Sequence, residues 1–431
     1  MNPQAQALNE IIEKHSPVVY DLLSEKGKNI FFPKQGILAQ TAEAKGKKIN
    51  ATIGSAIEDD GTPMRLDVIS GAVNMPPVGV FSYAPGFGKP ELREKWKELM
   101  AAKNPLLAGK TISNPITTIA LTNALSVLGY LFVNTGDEIC ISNMYWENYD
   151  LIFCNAYGGE WKPFNLFKDG GFDIDAFKAC LMEQPAGIKR LLLNFPNNPT
   201  GYTPTEQEAG EIVAVIKESA EAGNKLLVVL DDAYFNLVYE EGVERQSLFA
   251  YLCDLHENVL AVKVDGPTKE DYVWGFRVGY ITYGIKGGTQ ELYAALEQKT
   301  GGVIRGNVSN APNISQSLLL NAYNAPSYGE EKQAKFNTLK ARYKAVKETL
   351  ASHKEYEEYF VPCPFNSGYF MCVSLAKGID GETVRRILLD EYSAGVINLN
   401  NIIRIAFAAV PEKLIPELFA NLYLACKKAA G

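Results

Sequence analysis

Asp231 closes the apolar run LLVVLDDAYF, with Asp232 beside it and Tyr234 shortly after. An ionised carboxylate at the end of such a strand needs a cation or several donors to offset its desolvation, so Asp231 calls for a partner. Asn198 occupies the matching place one strand earlier, in the polar turn of LLLNFPNNPTG, and Lys269 and Arg277 stand eight residues apart in GPTKEDYVWGFRVGY, residues 266–280. Taken singly, each reads as ordinary turn chemistry: Asn, Asp, Pro and Gly punctuate loops, and basic residues flank strands. The histidines, His15, His256 and His353, are isolated. A histidine-rich metal site or a serine triad has little material, so whatever chemistry occurs uses another base.

The elements that must position these residues are legible as alternating apolar runs and helical patterns, which predict a mostly parallel sheet with helices on both faces. Candidate strands are ITTIALT, DEICIS, KRLLLNF, KLLVVLD, NVLAVKV and RVGYITY. A helix is expected over 204–222, with Thr203 as its cap, Pro204 in its first turn, Glu206 completing a capping box and Gly223 stopping it. Beyond about residue 312 a long helical pattern leads to strands near GYFMCVSL and IIRIAFAAV and a closing helix at about 412–429. That organisation predicts a second, smaller domain to which the first 50 or so residues return. In such sheets ligands bind beyond the carboxyl ends of the strands, where the suggestive residues fall.

A chain of 431 residues, 47% of them hydrophobic, exceeds the usual span of one domain and can bury a large core. Its net charge of -8 is spread along the sequence, and no basic cluster interleaved with aromatics appears, so no nucleic-acid partner is expected. Seven scattered cysteines, none in a CxxC spacing, suggest reduced and mostly buried thiols, which favours the cytoplasm. No apolar run approaches the roughly 18–20 residues that span a bilayer, and the amino terminus lacks an export signal, so no membrane partner is expected either.

Asn198 followed by Pro199, Thr200 and Gly201, then Asp231 with Ala233 and Tyr234, then Lys269 and Arg277, resemble the ordered signature of fold-type I pyridoxal-phosphate aminotransferases. The segments GSAIEDDGTP, YAPGFGKPELR, YWENY, IRGNVSNAP and IIRIAFA resemble class I members, the aspartate and aromatic amino acid aminotransferases, in the same order. The resemblance covers about residues 45–425. It implies a large α/β domain built on a seven-stranded sheet, over about 81–312, and a smaller α/β domain from an amino-terminal segment, 1–80, and a carboxy-terminal part, 313–431. It also implies pyridoxal 5'-phosphate as cofactor, amino acid and 2-oxo acid substrates exchanged in two stages, and a homodimer with shared active sites.

By the same resemblance, Lys269 would hold the cofactor as an imine and then move the substrate's proton. Asp231 would keep the pyridine nitrogen protonated, Tyr234 and Asn198 would hydrogen-bond the ring oxygen, and Trp146 would lie flat on the ring. Arg277 would clamp the phosphate, joined by Tyr83 of the neighbouring subunit and by the backbone amides of Ala124 and Leu125 at a helix start. Arg404 would bind the substrate's α-carboxylate, with Gly54 nearby, and Arg305 would reach across the dimer to a distal carboxylate.

Two departures stand out. Asn123 and Leu125 take places where relatives carry glycine and a hydroxyl residue, and Gly266 stands where a serine or threonine phosphate ligand is usual. The missing hydrogen bond is either absent or supplied by Thr268 or a water. A lyase or decarboxylase on the same fold would share Lys269, Asp231 and Arg277; the segments around Gly54 and Arg305 favour transfer. A ligand-sensing regulator would need a DNA-binding module, and the first 50 residues show no basic helix-turn-helix pattern.

Overall fold

The computed structural model describes residues 1–15, 20, 21, 23, 28–30, 36–182 and 186–431. Its centre is a seven-stranded sheet of β1 (Ile116–Thr118), β2 (Glu138–Ser142), β3 (Glu160–Phe164), β4 (Ile188–Asn194), β5 (Lys225–Asp231), β6 (Val259–Asp265) and β7 (Gly279–Gly284). The spatial order is β1-β7-β6-β5-β4-β2-β3. Only β7 runs against its neighbours; the remaining pairs are parallel. The predicted mostly parallel sheet is thus present, and all six candidate strands form. Strands β4, β5 and β6 are near-continuous apolar runs because helices cover both of their faces.

The strand that the sequence reading missed, β3, reads EWKPF and is an edge strand. Charged residues and a proline are tolerated there because one side of the ladder is unpaired, and they mask the β signal.

The helix expected over 204–222 spans Glu206–Glu221, capped by Thr205, whose side chain accepts from the Glu208 amide while its own amide donates to the Glu208 carboxylate. The capping box is therefore Thr205 with Glu208, not Thr203 with Glu206. Thr203 is committed elsewhere, to Asn366 and Ser367 of the carboxy-terminal part. Gly223 does follow the helix, at φ 91°, the left-handed conformation that ends helices cheaply.

The long pattern after 312 divides at Asn324-Ala325-Pro326 into Asn313–Tyr323 and a 25-residue helix, Tyr328–Ser352. A four-stranded sheet containing Phe360–Pro362, Met371–Leu375, Ile397–Leu399 and Ile402–Ile405 follows. Ile49–Asn50 pairs with Ala394–Gly395, and Gln40 bonds both ways with the Asn398 backbone, so the amino-terminal segment returns to the carboxy-terminal part. Among the described residues, no helix is long and apolar enough to cross a membrane.

The expectation of seven separate thiols is corrected at one place. Strand β2 and the helix Ile174–Met182 bring Cys140 and Cys180 together as a disulfide, leaving Cys154, Cys253, Cys363, Cys372 and Cys426 free.

Candidate active site

At the carboxyl ends of β4 and β5 lies a cavity of about 330 Å³ lined by Thr52, Gly54, Trp146, Asn198, Asp231, Tyr234, Thr268, Lys269, Arg277 and Arg404, among others. Parallel register sets the floor: Asn194 pairs with Asp231 across β4 and β5, so both chains leave the sheet at one level. The Asn194 side chain then fixes the turn, donating to the Asp231 carbonyl at 2.7 Å and accepting from the Asn198 amide at 2.8 Å. Residues dispersed over 350 positions of sequence thus share one wall.

Asp231 is 3% exposed, and no cation stands within ion-pair reach of it among the described residues. Burial raises its pKa, opposed by the Tyr149 hydroxyl, the charge of Lys269 and the Ala233 amide. Lys269 follows from the short helical turn Pro267–Glu270; burial brings its amine down to about 8, with Asp231 opposing the shift and Arg277 adding to it. Its ammonium nitrogen lies 5.0 Å from the Tyr234 ring centroid. The nearby Lys263 is no rival, being wholly buried and ion-paired with Asp232 and, at 3.0 Å, with Asp265.

Arg404 is 3% exposed and its Nε has no hydrogen-bond partner among the described residues. Its other nitrogens reach only the Asn198 side-chain oxygen and the Thr52 carbonyl, both at 3.4 Å, and its plane lies 4.6 Å from the Phe370 ring centroid. A buried guanidinium held by neutral, stretched contacts is built for an anion that arrives from outside.

The phosphate end differs from the sequence reading. The cavity is lined by Ala120, Leu121 and Thr122, the first residues of the helix Ala120–Phe132, and not by Ala124 and Leu125. The latter lie fully buried in the second turn, where amides belong to the helix ladder; only the first four are free for a ligand. Ala120 makes the turn at φ 59° without glycine, which is why the start was read too late.

Gly266 is packed, not merely permissive: a Cβ there would stand 2.9 Å from the Val278 carbonyl oxygen and 3.0 Å from the Gly279 Cα. The Thr268 hydroxyl is buried and unpartnered beside the cavity. Of the alternatives left open for the missing phosphate hydrogen bond, the orphaned Thr268 hydroxyl is the one built into the chain.

Two further predicted residues, Tyr83 and Arg305, lie outside the cavity of their own chain. Tyr83 is 91% exposed. Arg305 is exposed in the last turn of the helix Gln290–Asn307, donating to the Ser309 hydroxyl at 2.5 Å. Tyr149 lines the cavity but was not singled out; its spacing of three from Trp146 within YWENY was the available signal.

The family model for "Aminotransferase class I and II" matches residues 77–422. The chain belongs to the class I and II aminotransferases. Like others of that family it is a pyridoxal-phosphate-dependent enzyme, and the buried Asp231, Lys269 in the same cavity and the Thr268 hydroxyl, unpartnered among the described residues, fit that cofactor. Among relatives of this aminotransferase, the aspartate aminotransferase of Bacillus sp. (strain YM-2) is 26% identical over 306 residues, 69% of this chain and 71% of its own. The probable aspartate/prephenate aminotransferase of Thermus aquaticus is 30% identical over 202 residues, 47% of this chain and 49% of its own. In fold it is similar to an aminotransferase of Anaerococcus prevotii, with a TM-score of 0.81, 23% identity and coverage of 92% of this chain and 98% of that one. An aspartate aminotransferase mutant of Thermus thermophilus gives 0.71, 20%, 95% and 98% in the same terms.

Proposed function

We propose that this aminotransferase moves the amino group of a dicarboxylic or aromatic L-amino acid to a 2-oxo acid such as 2-oxoglutarate, in two half-reactions at one cavity. The observation that carries the reading is Arg404, a buried guanidinium with no carboxylate ion-paired to it among the described residues, in the same cavity as Lys269 and Asp231. The names of the relatives, aspartate and aspartate/prephenate aminotransferases, support the choice of donors.

When bound, pyridoxal phosphate supplies an electron sink for the charge left at the substrate's α carbon. The chain's part is positioning and proton movement. Arg404 takes the α-carboxylate as a planar fork, which aims the α C–H at the amine of Lys269, the base that removes and returns the proton. Asp231 would keep the proton on the pyridine nitrogen, and Tyr234 and Asn198 would donate to the ring oxygen. Trp146 would cover one ring face, while Arg277, Thr268 and the amides of Ala120–Thr122 would receive the phosphate.

Tyr83 and Arg305 serve the cavity of a second copy, Tyr83 at its phosphate and Arg305 at a distal carboxylate. Their exposure in a single chain, together with the exposed Val78 and Phe81 beside Tyr83, supports this assignment. A panel of L-amino acids against 2-oxoglutarate tests the reading: glutamate should accumulate with aspartate or aromatic donors. Release of carbon dioxide or elimination without glutamate would replace it with a lyase or decarboxylase.

A further inference from the structure

Two acids follow Lys269 directly, and both are buried: Glu270 is 3% exposed and Asp271 is fully covered. Acids are rarely enclosed so completely unless paired, and here the partners come from distant parts of the chain. Lys103 places its ammonium 2.9 Å from both oxygens of Glu270. Lys332 reaches Glu270 at 2.6 Å and Asp271 at 2.7 Å, and Tyr323 and Tyr328 donate to the Asp271 carboxylate at 3.0 and 2.8 Å. Two carboxylates face two ammonium groups, so the cluster is neutral as a whole.

Lys332 is the member that links distant elements. It sits near the start of the helix Tyr328–Ser352, which also carries Lys335, paired with Glu58 at 2.6 Å, and Arg342, paired with Asp59 at 3.0 Å. Glu58 and Asp59 belong to the segment that begins at the cavity-lining Gly54. One helix therefore grips the turn that bears Lys269 and the segment that bears Gly54. The Lys269 turn has a further tie, the Tyr369 hydroxyl donating to the Lys269 carbonyl at 2.6 Å.

We propose that Lys332 is a positioning residue for the active site: by bridging Glu270 and Asp271 it holds the Lys269 turn at a fixed height against the long helix. The placement of the carboxy-terminal part is thereby transmitted to the reacting amine. The inference rests on Lys269 being the cofactor-binding lysine.

The experiment uses the cofactor-loaded protein. Borohydride trapping on the unaltered chain first identifies the lysine; trapping elsewhere would sink the reading of the site itself, separately from this one. Lys332→Met, Lys332→Arg and the doubly neutral Lys332→Met/Asp271→Asn are then compared by thermal unfolding, steady-state kinetics and the pH titration of the lysine-bound cofactor's absorbance. The groups facing the Lys269 amine, Asp231, Tyr234 and Arg277, are untouched in all three, so a moved titration midpoint reports a displaced amine.

Lys332→Met should unfold at lower temperature, because it leaves a buried carboxylate unmatched, and should lose about ten- to a hundredfold in kcat with KM for the donor within about threefold. The double variant removes one charge of each sign and should regain much of the stability while keeping the kcat loss and the moved midpoint. Lys332→Arg, which keeps the bridge, should stay within about fivefold of the original kcat. Recovery of kcat and midpoint together with stability in the double variant would overturn the proposal, as would an Arg variant as impaired as Met. A double variant that cannot fold would show the cluster to be core and nothing more.

Discussion

The Tyr149 hydroxyl donates to Oδ2 of Asp231 over 2.5 Å, and both groups are buried. This bond is the largest of the influences that hold the Asp231 pKa down against the burial that raises it. Tyr149→Phe should therefore raise that pKa further and reduce the ionised fraction, so its loss of kcat/KM should deepen as pH falls. A loss of about three- to thirtyfold near neutrality is expected, corresponding to one hydrogen bond to a charged group. A pH–rate profile parallel to that of the unaltered enzyme would refute this.

Lys269→Ala should abolish the lysine-bound absorbance band and nearly all transfer. The amine's value of about 8 also has a sign that can be checked. Below it the amine is protonated and cannot attack an aldehyde, so cofactor loading of stripped protein should quicken with pH up to about 8 and then level. A loading rate that is flat across pH 6–9 would contradict the assignment.

Arg404→Leu separates function from stability. Because no carboxylate among the described residues ion-pairs with Arg404, and Glu147 acts on it only at longer range, its removal relieves a buried charge that is poorly compensated, and the cofactor-free variant should melt no lower than the original. Its kcat/KM should nevertheless fall by about a hundredfold or more with every α-amino acid donor. A large fall in melting temperature would identify Arg404 as structural.

Arg305→Ala should lower kcat/KM for aspartate, glutamate or 2-oxoglutarate by on the order of ten- to a thousandfold, and for uncharged donors much less, as expected for loss of a charged pair. Equal losses would make it structural, and none would return it to the solvent-facing helix end where it lies in the single chain. Phe81→Asp tests the assembly on which this depends: it should yield monomers in sedimentation, with activity lost in proportion. An active monomer would remove both Arg305 and Tyr83 from the site.

The sheet and most of the cavity were legible because their signals are local. Apolar runs such as KLLVVLD announce buried parallel strands, and Asp231 and Asn198 announce their ends. What escaped depends on distant partners or on conformations that composition does not advertise. Thr203 looked like a cap until Asn366 and Ser367 claimed it. The phosphate-facing helix start was read several residues late because alanine, not glycine, makes the left-handed turn at position 120. Lys103 and Lys332 gave no hint of meeting Glu270, since 167 and 62 positions separate them from it.

The packing at Gly266 has a bearing on how this enzyme can change. A serine acquired there by single mutation would bring its Cβ within 2.9 Å of the Val278 carbonyl oxygen and 3.0 Å of the Gly279 Cα, backbone atoms at the start of β7 that have to shift slightly to admit it. Tighter cofactor retention through a side chain at that position therefore needs a compensating small shift at the start of β7. Variants selected for longer cofactor residence should accumulate instead around Thr268 and the Ala120–Thr122 turn, where side chains can still be altered one at a time.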